Sequence, residues 1–345
     1  MKSLEIKTSV GNCRIVFDGA LEDAEGLRPG RNGAVITDTT VRRLFGHRFP
    51  DLPVIAIEPG ESSKEFWTVE RLHREFLGLE LDRSSFVMGI GGGVVCDLAG
   101  FAASTYMRGI GFGFVPSTLL AQSDAAIGGK NGVNVGGVKN IAGLFRQPEY
   151  VLIDLSLLET LPAKERLCGL AEIIKHALIA DADLFAFLER EEASLLSLER
   201  PVVMRALEES VRIKAGFVRA DVLESGERRK LNFGHTMGHA VEKTAGLPHG
   251  EAVSVGMAAA ARISAARGML PAASAERISG LLERTGLPVG LPIAPEKLFE
   301  VMRRDKKRQG DVLRLILLSE IGRAEIVEMT FGELEGHVDD LRQPR

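Results

Sequence analysis

The period of the hydrophobic pattern changes once along this chain, near residue 157, and this change limits the fold more than any other feature. Before it, short β-rich runs alternate with helical patterns. The runs are Ser3–Ser9, Cys13–Asp18, Ala34–Thr37, Val54–Ile57, Ser85–Ile90, Phe112–Val115 and Val151–Ile153. Strands that alternate with helices are typical of a mostly parallel sheet with helices on its faces. Residues 1–156 are therefore predicted to form an α/β domain.

Helical periodicity dominates the rest of the chain. The predicted helices are Ala163–Ala180, Asp183–Leu195, Val202–Val222, Arg229–Ala245, Glu251–Arg267 and Ala272–Arg284. A short hairpin, Leu313–Leu318 with Glu325–Glu328, precedes a last predicted helix at Phe331–Leu341. Residues 157–345 are therefore predicted to form a second, helical domain.

Charge and apolar pattern exclude several classes of protein. A net charge of −4 without a basic block argues against a nucleic-acid partner. The most apolar region, Phe86–Gly129, is interrupted by Asp97, Arg108 and Asp124, so it contains no run long enough to span a bilayer. The first residues lack the apolar run of a signal peptide, and the three cysteines lie far apart. We expect a cytoplasmic protein with no membrane partner.

A polar stripe lies on one predicted helix of the second domain. On a helical wheel one face carries four polar residues, which are Arg228, Asn232, His235 and His239. The residues around them are mostly small or apolar, so burying this stripe is costly unless it carries chemistry. Gly234 and Gly238 lower the stability of the helix and allow another group to approach its backbone closely.

Two of these histidines and a carboxylate could hold a metal ion. His249 follows the stripe, and Glu172 and Lys175 lie three residues apart on one face of an earlier helix. Glu172, His235 and His249 would supply two nitrogens and one oxygen, a set that suits catalytic Zn²⁺ with an open position. Alternatively, His235 and His239 could both be ligands, although the segment lacks the Glu of the HExxH pattern. A structural histidine and a surface Glu172–Lys175 ion pair are the simpler interpretations.

A glycine triplet ends a predicted strand of the first domain and begins a helix. Gly91–Gly93 could hold a pyrophosphate at the helix N-terminus or could form a tight turn, and the run is not GxGxxG. Asp38 ends an earlier strand, and Glu61 and Lys64 follow another. Because ligands bind at the carboxyl ends of strands in open α/β sheets, these residues favour a nucleotide site.

A second glycine-rich segment carries charged residues. It runs from Asp124 to Lys130 and is followed by Lys139 and Asn140. A surface loop is one interpretation. Two lysines and an aspartate among glycines would also suit an anionic, hydroxylated substrate.

These segments, in this order, closely resemble the 3-dehydroquinate synthase family of sugar-phosphate cyclases. The resemblance extends from about Gly33 to Ile321. Its motifs are Gly91–Gly109, Pro116–Gly132, Lys139–Asn140, Leu170–Asp181, Leu231–Ala240, His249–Met257 and Asp305–Lys307. The fold that it implies is an N-terminal Rossmann-like NAD-binding domain with a mostly parallel sheet and a C-terminal all-helical metal-binding domain.

The resemblance implies a reaction of the shikimate pathway, which leads to aromatic amino acids. A lyase of this family converts 3-deoxy-D-arabino-heptulosonate 7-phosphate into 3-dehydroquinate and phosphate. Bound NAD⁺ oxidises the substrate, phosphate is eliminated, the NADH returns its hydride, and the product closes by an aldol step. NAD⁺ is therefore needed but not consumed.

Roles for individual residues follow from the same resemblance. The metal, Zn²⁺ or Co²⁺, is bound by Glu172, His235 and His249. The NAD⁺ contacts are Asp38, Glu61, Lys64, Gly92, Gly93, Asp97, Ser117, Thr118 and Lys139. The substrate contacts are Asp124, Lys130, Asn140, Lys175, Lys214, Arg228, Asn232, His239 and Lys306. Arg108 matches a residue that reaches the partner subunit's site, so a homodimer is implied.

Three departures from the family pattern are Cys96 for a usual Gly, Ser117 for a Thr, and Asn131 for a Thr in the substrate loop. A related cyclase that acts on another sugar phosphate, such as sedoheptulose 7-phosphate or glucose 6-phosphate, is a competing function. Arg228 and Lys130 argue against it because they match contacts to a carboxylate that those sugars lack. A polyol dehydrogenase and a non-catalytic protein that binds a metal or a nucleotide also compete with the cyclase function.

Overall fold

The computed structural model describes residues 2–29, 32–291, 293–303 and 312–337. The chain divides into two compact units. The first unit comprises residues 1–161 and 214–223, and the second unit comprises residues 162–213 and 224–345.

A twisted sheet forms the centre of the first unit. Strands of this unit are β1 (Lys2–Thr8), β2 (Gly11–Phe17), β3 (Gly33–Asp38), β4 (Val54–Ile57), β5 (Phe86–Gly91), β6 (Gly111–Pro116), β7 (Lys130–Val135), β8 (Val138–Phe145) and β9 (Tyr150–Leu152). Seven of them pair in the order β1-β2-β9-β6-β5-β3-β4, and every pair except β1–β2 is parallel. The predicted mostly parallel sheet is confirmed.

Helices cover this sheet, and their bounds are α1 (Ala24–Leu27), α2 (Thr39–Phe45), α3 (Phe66–Gly78) and α4 (Gly93–Thr105). Central strand β5 is buried along its whole length, as expected for a parallel strand with both faces covered. Phe86 and Met88 of β5 belong to a core cluster that also contains Val35 and Tyr150. Apolar residues of the predicted strands are therefore buried in a core within this unit.

The second glycine-rich segment leads into a hairpin, which contains Lys130, Lys139 and Asn140. Strands β7 and β8 pair antiparallel, and Gly136 and Gly137 connect them with φ angles of 57° and 77°. Two successive residues with positive φ are the requirement of the tightest hairpin turns, and glycine meets it without strain. These two strands were not predicted from the sequence.

The second unit is helical apart from one hairpin. Its elements are α5 (Ala163–Ala180), α6 (Ala182–Arg190), α7 (Glu192–Leu196), α8 (Arg200–Ala220), α9 (His235–Ala245), α10 (His249–Ala266), α11 (Ala272–Arg284), α12 (Pro295–Arg303), β10 (Val312–Glu320), β11 (Arg323–Thr330) and α13 (Phe331–Gly336). The last residues of α8, from Lys214 onward, belong to the first unit. The predicted hairpin is confirmed as β10–β11. Helix α12 was not predicted, and the end of the predicted last helix lies outside the described residues. Within those residues, none of the helices combines the length and the apolar character that a bilayer-spanning segment needs.

The predicted helix at Arg229–Ala245 is wrong in its first part. Residues Glu227–Asn232 form a 3₁₀ helix, Phe233 is extended, and α9 begins at His235. The cause is Gly234, whose left-handed φ of 77° breaks the helical path at a point where a side chain would be strained. Arg228 and Asn232 therefore do not share a helix face with the histidines.

Helices α9 and α10 pack with their backbones in contact. A Cβ at Gly238 would lie 2.9 Å from the carbonyl oxygen of Ala252, and a Cβ at Gly256 would overlap the carbonyl oxygen of Gly234. The predicted close approach at Gly234 and Gly238 is thus made by α10. Because α9 and α10 each begin with a histidine, this contact also sets the distance between the two imidazoles.

We predict that Gly256→Ala destabilises the protein, because its Cβ can be accommodated only by moving the α9 backbone. Overpacking of this kind costs about 1–3 kcal/mol. Gly216→Ala in α8 is the matched control: apart from its own helix, none of the described residues has an atom within 4 Å of its Cβ, so only a gain in helix propensity is expected. Thermal unfolding followed by circular dichroism compares the two, and a Gly256→Ala variant as stable as wild type would contradict the packing.

Candidate functional site

Three side chains of the second unit converge as a metal site requires. Glu172 lies on α5, His235 is the first residue of α9, and His249 is the first residue of α10. The Nε2 atoms of His235 and His249 lie 3.6 Å and 3.5 Å from Oε1 of Glu172. One donor atom of each residue lies within 4.8 Å of the other two. Two imidazole nitrogens and one carboxylate oxygen at this spacing suit a divalent metal with an open coordination position.

Local hydrogen bonds direct both imidazoles toward this point. Nδ1 of His235 donates to the carbonyl oxygen of Phe233 at 3.1 Å, and Nδ1 of His249 donates to Oε2 of Glu242 at 3.1 Å. Because Nδ1 is the donor in each ring, Nε2 is the nitrogen left for a metal. Both Nε2 atoms lie beside Glu172.

The two histidines have opposite pKa shifts. Burial and the ammonium group of Lys175 lower the pKa of His235 to about 3, so this ring is neutral near pH 7 and its Nε2 is available as a ligand. Burial also lowers the pKa of His249, but hydrogen bonds with Glu172 and Glu242 outweigh it and raise the pKa to about 9. The carboxylates that attract this proton also attract a divalent cation, which would displace it.

Lys175 forms an ion pair with Glu172, one turn earlier on α5. Both side chains are almost completely buried, with 1% and 0% of the residue exposed, so the interpretation as a surface ion pair is wrong. Burying an ammonium group is costly unless it is paired, and a buried pair of this kind is a frequent feature of functional sites. The structure therefore places a buried positive charge directly beside the candidate metal ligands.

The structure gives burial or contacts for three of the remaining predicted substrate residues of the second unit. Arg228 is 1% exposed, and Nδ2 of Asn232 donates to Oε1 of Glu224 at 2.6 Å. The ring of His239 makes an edge-to-face contact with that of His235, with centroids 5.2 Å apart. Lys306 lies outside the described residues. Glu224 was missed in the sequence, because nothing in its local pattern marks it; its φ of 58° and its bond to Asn232 distinguish it in the structure.

A second possible metal set lies next to the first. It comprises His239, Glu242 and His249, whose donor atoms also lie within 4.8 Å of one another. His239 is exposed, whereas Glu172 is buried. The alternative in which His235 and His239 are joint ligands is not supported, because His239 belongs only to this second set.

Three of the predicted cofactor residues lie at the carboxyl ends of neighbouring parallel strands. Asp38 is the last residue of β3, and Gly92 and Ser117 directly follow β5 and β6. Among the described residues no side chain caps α4, and a Cβ at Gly92 would lie 3.2 Å from Cγ2 of Thr118. The amide groups at the start of α4 are thus accessible through glycine, an arrangement that binds phosphate groups.

Lys64 connects several of the predicted residues. Its buried ammonium forms an ion pair with Asp97 on α4 and donates to Oδ1 of Asn140 at 2.5 Å. Glu61 accepts a hydrogen bond from Nδ2 of Asn134 at 2.8 Å. Burial raises the pKa of Asp97, and the Lys64 charge opposes that shift. Residues assigned to NAD⁺ and to substrate therefore share one polar network.

Asp124 and Lys214, predicted substrate contacts that are distant in sequence, are paired within the first unit. Asp124 lies in a π-helical turn, Ala121–Ala125, and Nζ of Lys214 contacts its Oδ1 at 2.7 Å. Nζ of Lys214 also donates to the carbonyl oxygen of Asp124 at 2.5 Å. π-helical turns often occur at functional sites, and this one directs a carboxylate toward the lysine.

Asn131, a departure from the family pattern, holds the substrate loop. Its Nδ2 donates to the carbonyl oxygens of Gly129 and Arg146 at 3.1 Å and 2.9 Å. The side chain is buried against Gly100 of α4, where a Cβ would overlap its Oδ1. Asn131 therefore fixes the backbone beside Lys130, and its own side chain points into the interior.

The other two departures, Cys96 and Ser117, are both buried. Cys96 is buried with its Sγ 3.8 Å from the carbonyl oxygen of Gly91, and burial raises the pKa of its thiol, so it is not a reactive cysteine. Ser117 keeps a buried hydroxyl for which no hydrogen-bond partner is found among the described residues.

Three other predicted site residues have exposed side chains, namely Lys130, Lys139 and Arg108.

Two family models match consecutive parts of the chain. The model described as 3-dehydroquinate synthase N-terminal matches residues 54–168, and the model described as 3-dehydroquinate synthase C-terminal matches residues 169–308. A 3-dehydroquinate synthase from Geobacter metallireducens is 43% identical over 312 residues, which cover 87% of this chain and 87% of that protein.

Two solved structures are similar over nearly the whole chain. The 2-epi-5-epi-valiolone synthase of Streptomyces hygroscopicus, with NAD⁺ and Zn²⁺ bound, is 30% identical with a TM-score of 0.87, covering 99% of this chain and 98% of that chain. A 2-deoxy-scyllo-inosose synthase complexed with carbaglucose-6-phosphate, NAD⁺ and Co²⁺ is 25% identical with a TM-score of 0.87, covering 98% and 99%. These two synthases each bind NAD⁺ and a divalent metal.

We predict that Glu172→Ala, His235→Ala and His249→Ala each lose bound metal, because two remaining ligands hold a divalent cation weakly. The measurement is the amount of Zn²⁺ per chain after dialysis. His47→Ala, which removes an exposed histidine of the first unit, is the control and is expected to retain the metal. Unchanged metal content in the three variants would show that the ligands are elsewhere.

Proposed function

The chain belongs to the 3-dehydroquinate synthase family, and we propose that it converts 3-deoxy-D-arabino-heptulosonate 7-phosphate into 3-dehydroquinate and phosphate. It is an enzyme of the lyase class, and its cofactors are NAD⁺ and a divalent metal, Zn²⁺ or Co²⁺. One observation carries this proposal: Glu172, His235 and His249 converge beside the buried charge of Lys175. A metal beside a fixed cation suits a hydroxylated substrate that loses phosphate.

The metal and most of the phosphate contacts are assigned to residues 157–345. When bound, the metal polarises the substrate hydroxyl that is oxidised. Lys175, Asn232 and His239 offer N–H donors to the leaving phosphate, whose charge grows as its bond breaks. Lys306 is assigned the same role by the family motif. Arg228, with its planar guanidinium, is assigned to the substrate carboxylate, which it can bind with two hydrogen bonds.

NAD⁺ is assigned to residues 1–156. When bound, it would supply reversible hydride transfer, with no net oxidation. The amides at Gly92 and Gly93 would hold the pyrophosphate, and the carboxylate of Asp38 would accept a hydrogen bond from a ribose hydroxyl. The other assigned cofactor contacts are Glu61, Lys64, Asp97, Ser117, Thr118 and Lys139. The polar groups assigned to the substrate are Asp124, Lys130, Asn140 and Lys214.

A cyclase for a different sugar phosphate is the nearest competing function, because both similar solved structures are synthases with other products. The higher identity to the Geobacter metallireducens 3-dehydroquinate synthase favours the proposed substrate. The cationic groups of Arg228 and Lys130 favour it as well, since only this substrate among those considered carries a carboxylate.

The proposed activity predicts that phosphate is released over many turnovers with one equivalent of NAD⁺, because the hydride returns to the substrate. The experiment incubates the enzyme with 3-deoxy-D-arabino-heptulosonate 7-phosphate, Zn²⁺ or Co²⁺, and NAD⁺, and follows phosphate and the absorbance of NADH. Sedoheptulose 7-phosphate and glucose 6-phosphate are the control substrates.

Turnover of a control substrate in place of the heptulosonate would contradict the substrate assignment. Accumulation of NADH in step with turnover would identify a polyol dehydrogenase instead.

We further propose that the enzyme is a cytoplasmic homodimer in which Arg108 acts on the partner's substrate. Arg108 and the preceding Met107 have φ angles of 69° and 46°, an unfavourable backbone for side chains of this size. Met107 is 41% exposed. Strained and exposed residues at one turn support a role in binding, because such strain persists mainly at functional positions.

This proposal predicts complementation between two inactive variants. Arg108→Ala removes the residue assigned to the partner's site, and Lys130→Ala removes a contact within the subunit's own site. A mixed dimer then contains one site with both groups intact, so part of the phosphate-releasing activity should return on mixing. No recovery, after mass spectrometry has confirmed subunit exchange, would count against a role across the interface.

A further inference from the structure

Glu242 contacts the candidate metal ligand His249 on the side away from the other ligands. It lies on α9, seven residues after His235, so two helical turns separate them on one face. Its Oε2 accepts a hydrogen bond from Nδ1 of His249 at 3.1 Å. The two side chains are 17% and 32% exposed. Neither the polar stripe nor the family motifs assigned a role to Glu242.

The hydrogen bond determines which nitrogen of His249 can bind metal. A carboxylate only accepts hydrogen bonds, so a proton is held on Nδ1 and Nε2 is the nitrogen at which a metal can bind. Nε2 is the atom that lies 3.5 Å from Oε1 of Glu172. A carboxylate on the far nitrogen also makes an imidazole more basic, which strengthens its bond to a metal.

The two histidines differ in this respect. Nδ1 of His235 is held by the neutral carbonyl of Phe233, which belongs to the adjacent backbone. Nδ1 of His249 is held by a charged group on a different helix. His249 is also the more exposed of the two side chains, at 32% against 12%, so its orientation depends more on a specific partner.

We propose that Glu242 is a positioning residue for the metal, which holds His249 in the tautomer and orientation that binding requires. The proposal rests on the ligand set of the proposed function. The competing role is direct ligation through the second set of donor atoms, His239, Glu242 and His249. The structure favours positioning, because the Glu242 oxygen already accepts the proton of Nδ1.

The experiment measures the dissociation constant for Zn²⁺ by competition with a chromophoric chelator, without substrate. Glu242→Ala is expected to weaken binding about 10- to 100-fold, as is usual when such a partner is removed. Glu242→Gln keeps a neutral acceptor of the same shape, so a smaller loss is expected. Glu276→Gln, at an exposed position of α11, is the control and should bind like wild type.

Co²⁺ distinguishes positioning from ligation, because its visible absorption reports the number of bound groups. Under the proposal the Co²⁺ spectrum of Glu242→Gln matches that of wild type once the site is saturated. A changed spectrum would make Glu242 a ligand and overturn the proposal, as would wild-type Zn²⁺ affinity in both Glu242 variants. His235→Ala in the same assay distinguishes failure of the proposed ligand set from failure of the proposed role of Glu242. If His235→Ala retains metal, both proposals are wrong. If His235→Ala loses metal while the Glu242 variants bind it like wild type, only the proposed role of Glu242 is wrong.

Discussion

Backbone contact between helices is the constraint on which the candidate metal site depends. Imidazole and carboxylate side chains are short, so three helices can bring them together only if the helices approach closely. Gly238 and Gly256 allow this between α9 and α10. Gly250, directly after His249, does the same against Cys168 of α5, where any Cβ would overlap the backbone. These glycines matter because they have no Cβ, so the backbone of a neighbouring helix can approach closely.

The charge of the site is balanced within the second unit. Glu172 is buried and lies next to Lys175 and two imidazoles, so its negative charge has partners on several sides. An isolated buried carboxylate would be costly, and the same cost falls on an unpaired buried ammonium. These charged groups stabilise one another in a buried position where apolar residues would usually stabilise the fold as well. Such buried charged clusters are typical of functional sites.

The sheet edge of the first unit is held together in a similar way. Lys64 contacts Asp97 from a helix and Asn140 from a hairpin, so one buried cation joins residues from three segments. Asn131 links the hairpin to the loop before it and packs on the helix that carries Gly93. The departure from the family pattern at Asn131 is therefore part of the loop's internal support.

The sequence by itself determined the fold class, the order of the elements and the types of residue available for chemistry. Periodicity is a local property, and strand, helix and turn preferences can be recognised over a few residues, so the mostly parallel sheet and the β10–β11 hairpin were predicted correctly. Helix α12, the hairpin β7–β8 and the start of α9 were not. The resemblance to a known family then assigned Glu172, His235 and His249 as the candidate metal ligands. The metal set of Glu172, His235 and His249 was also among those suggested by residue type alone.

Only the tertiary structure decided how these residues meet. The stripe that joined Arg228 and Asn232 to the histidines on one helix was wrong, since Gly234 adopts a left-handed conformation that periodicity does not reveal. The contact of Glu242 with His249 depends on the angle between two helices, and the burial of Lys175 depends on everything packed around α5. Contacts between distant segments are set by packing, and packing is a property of the folded chain.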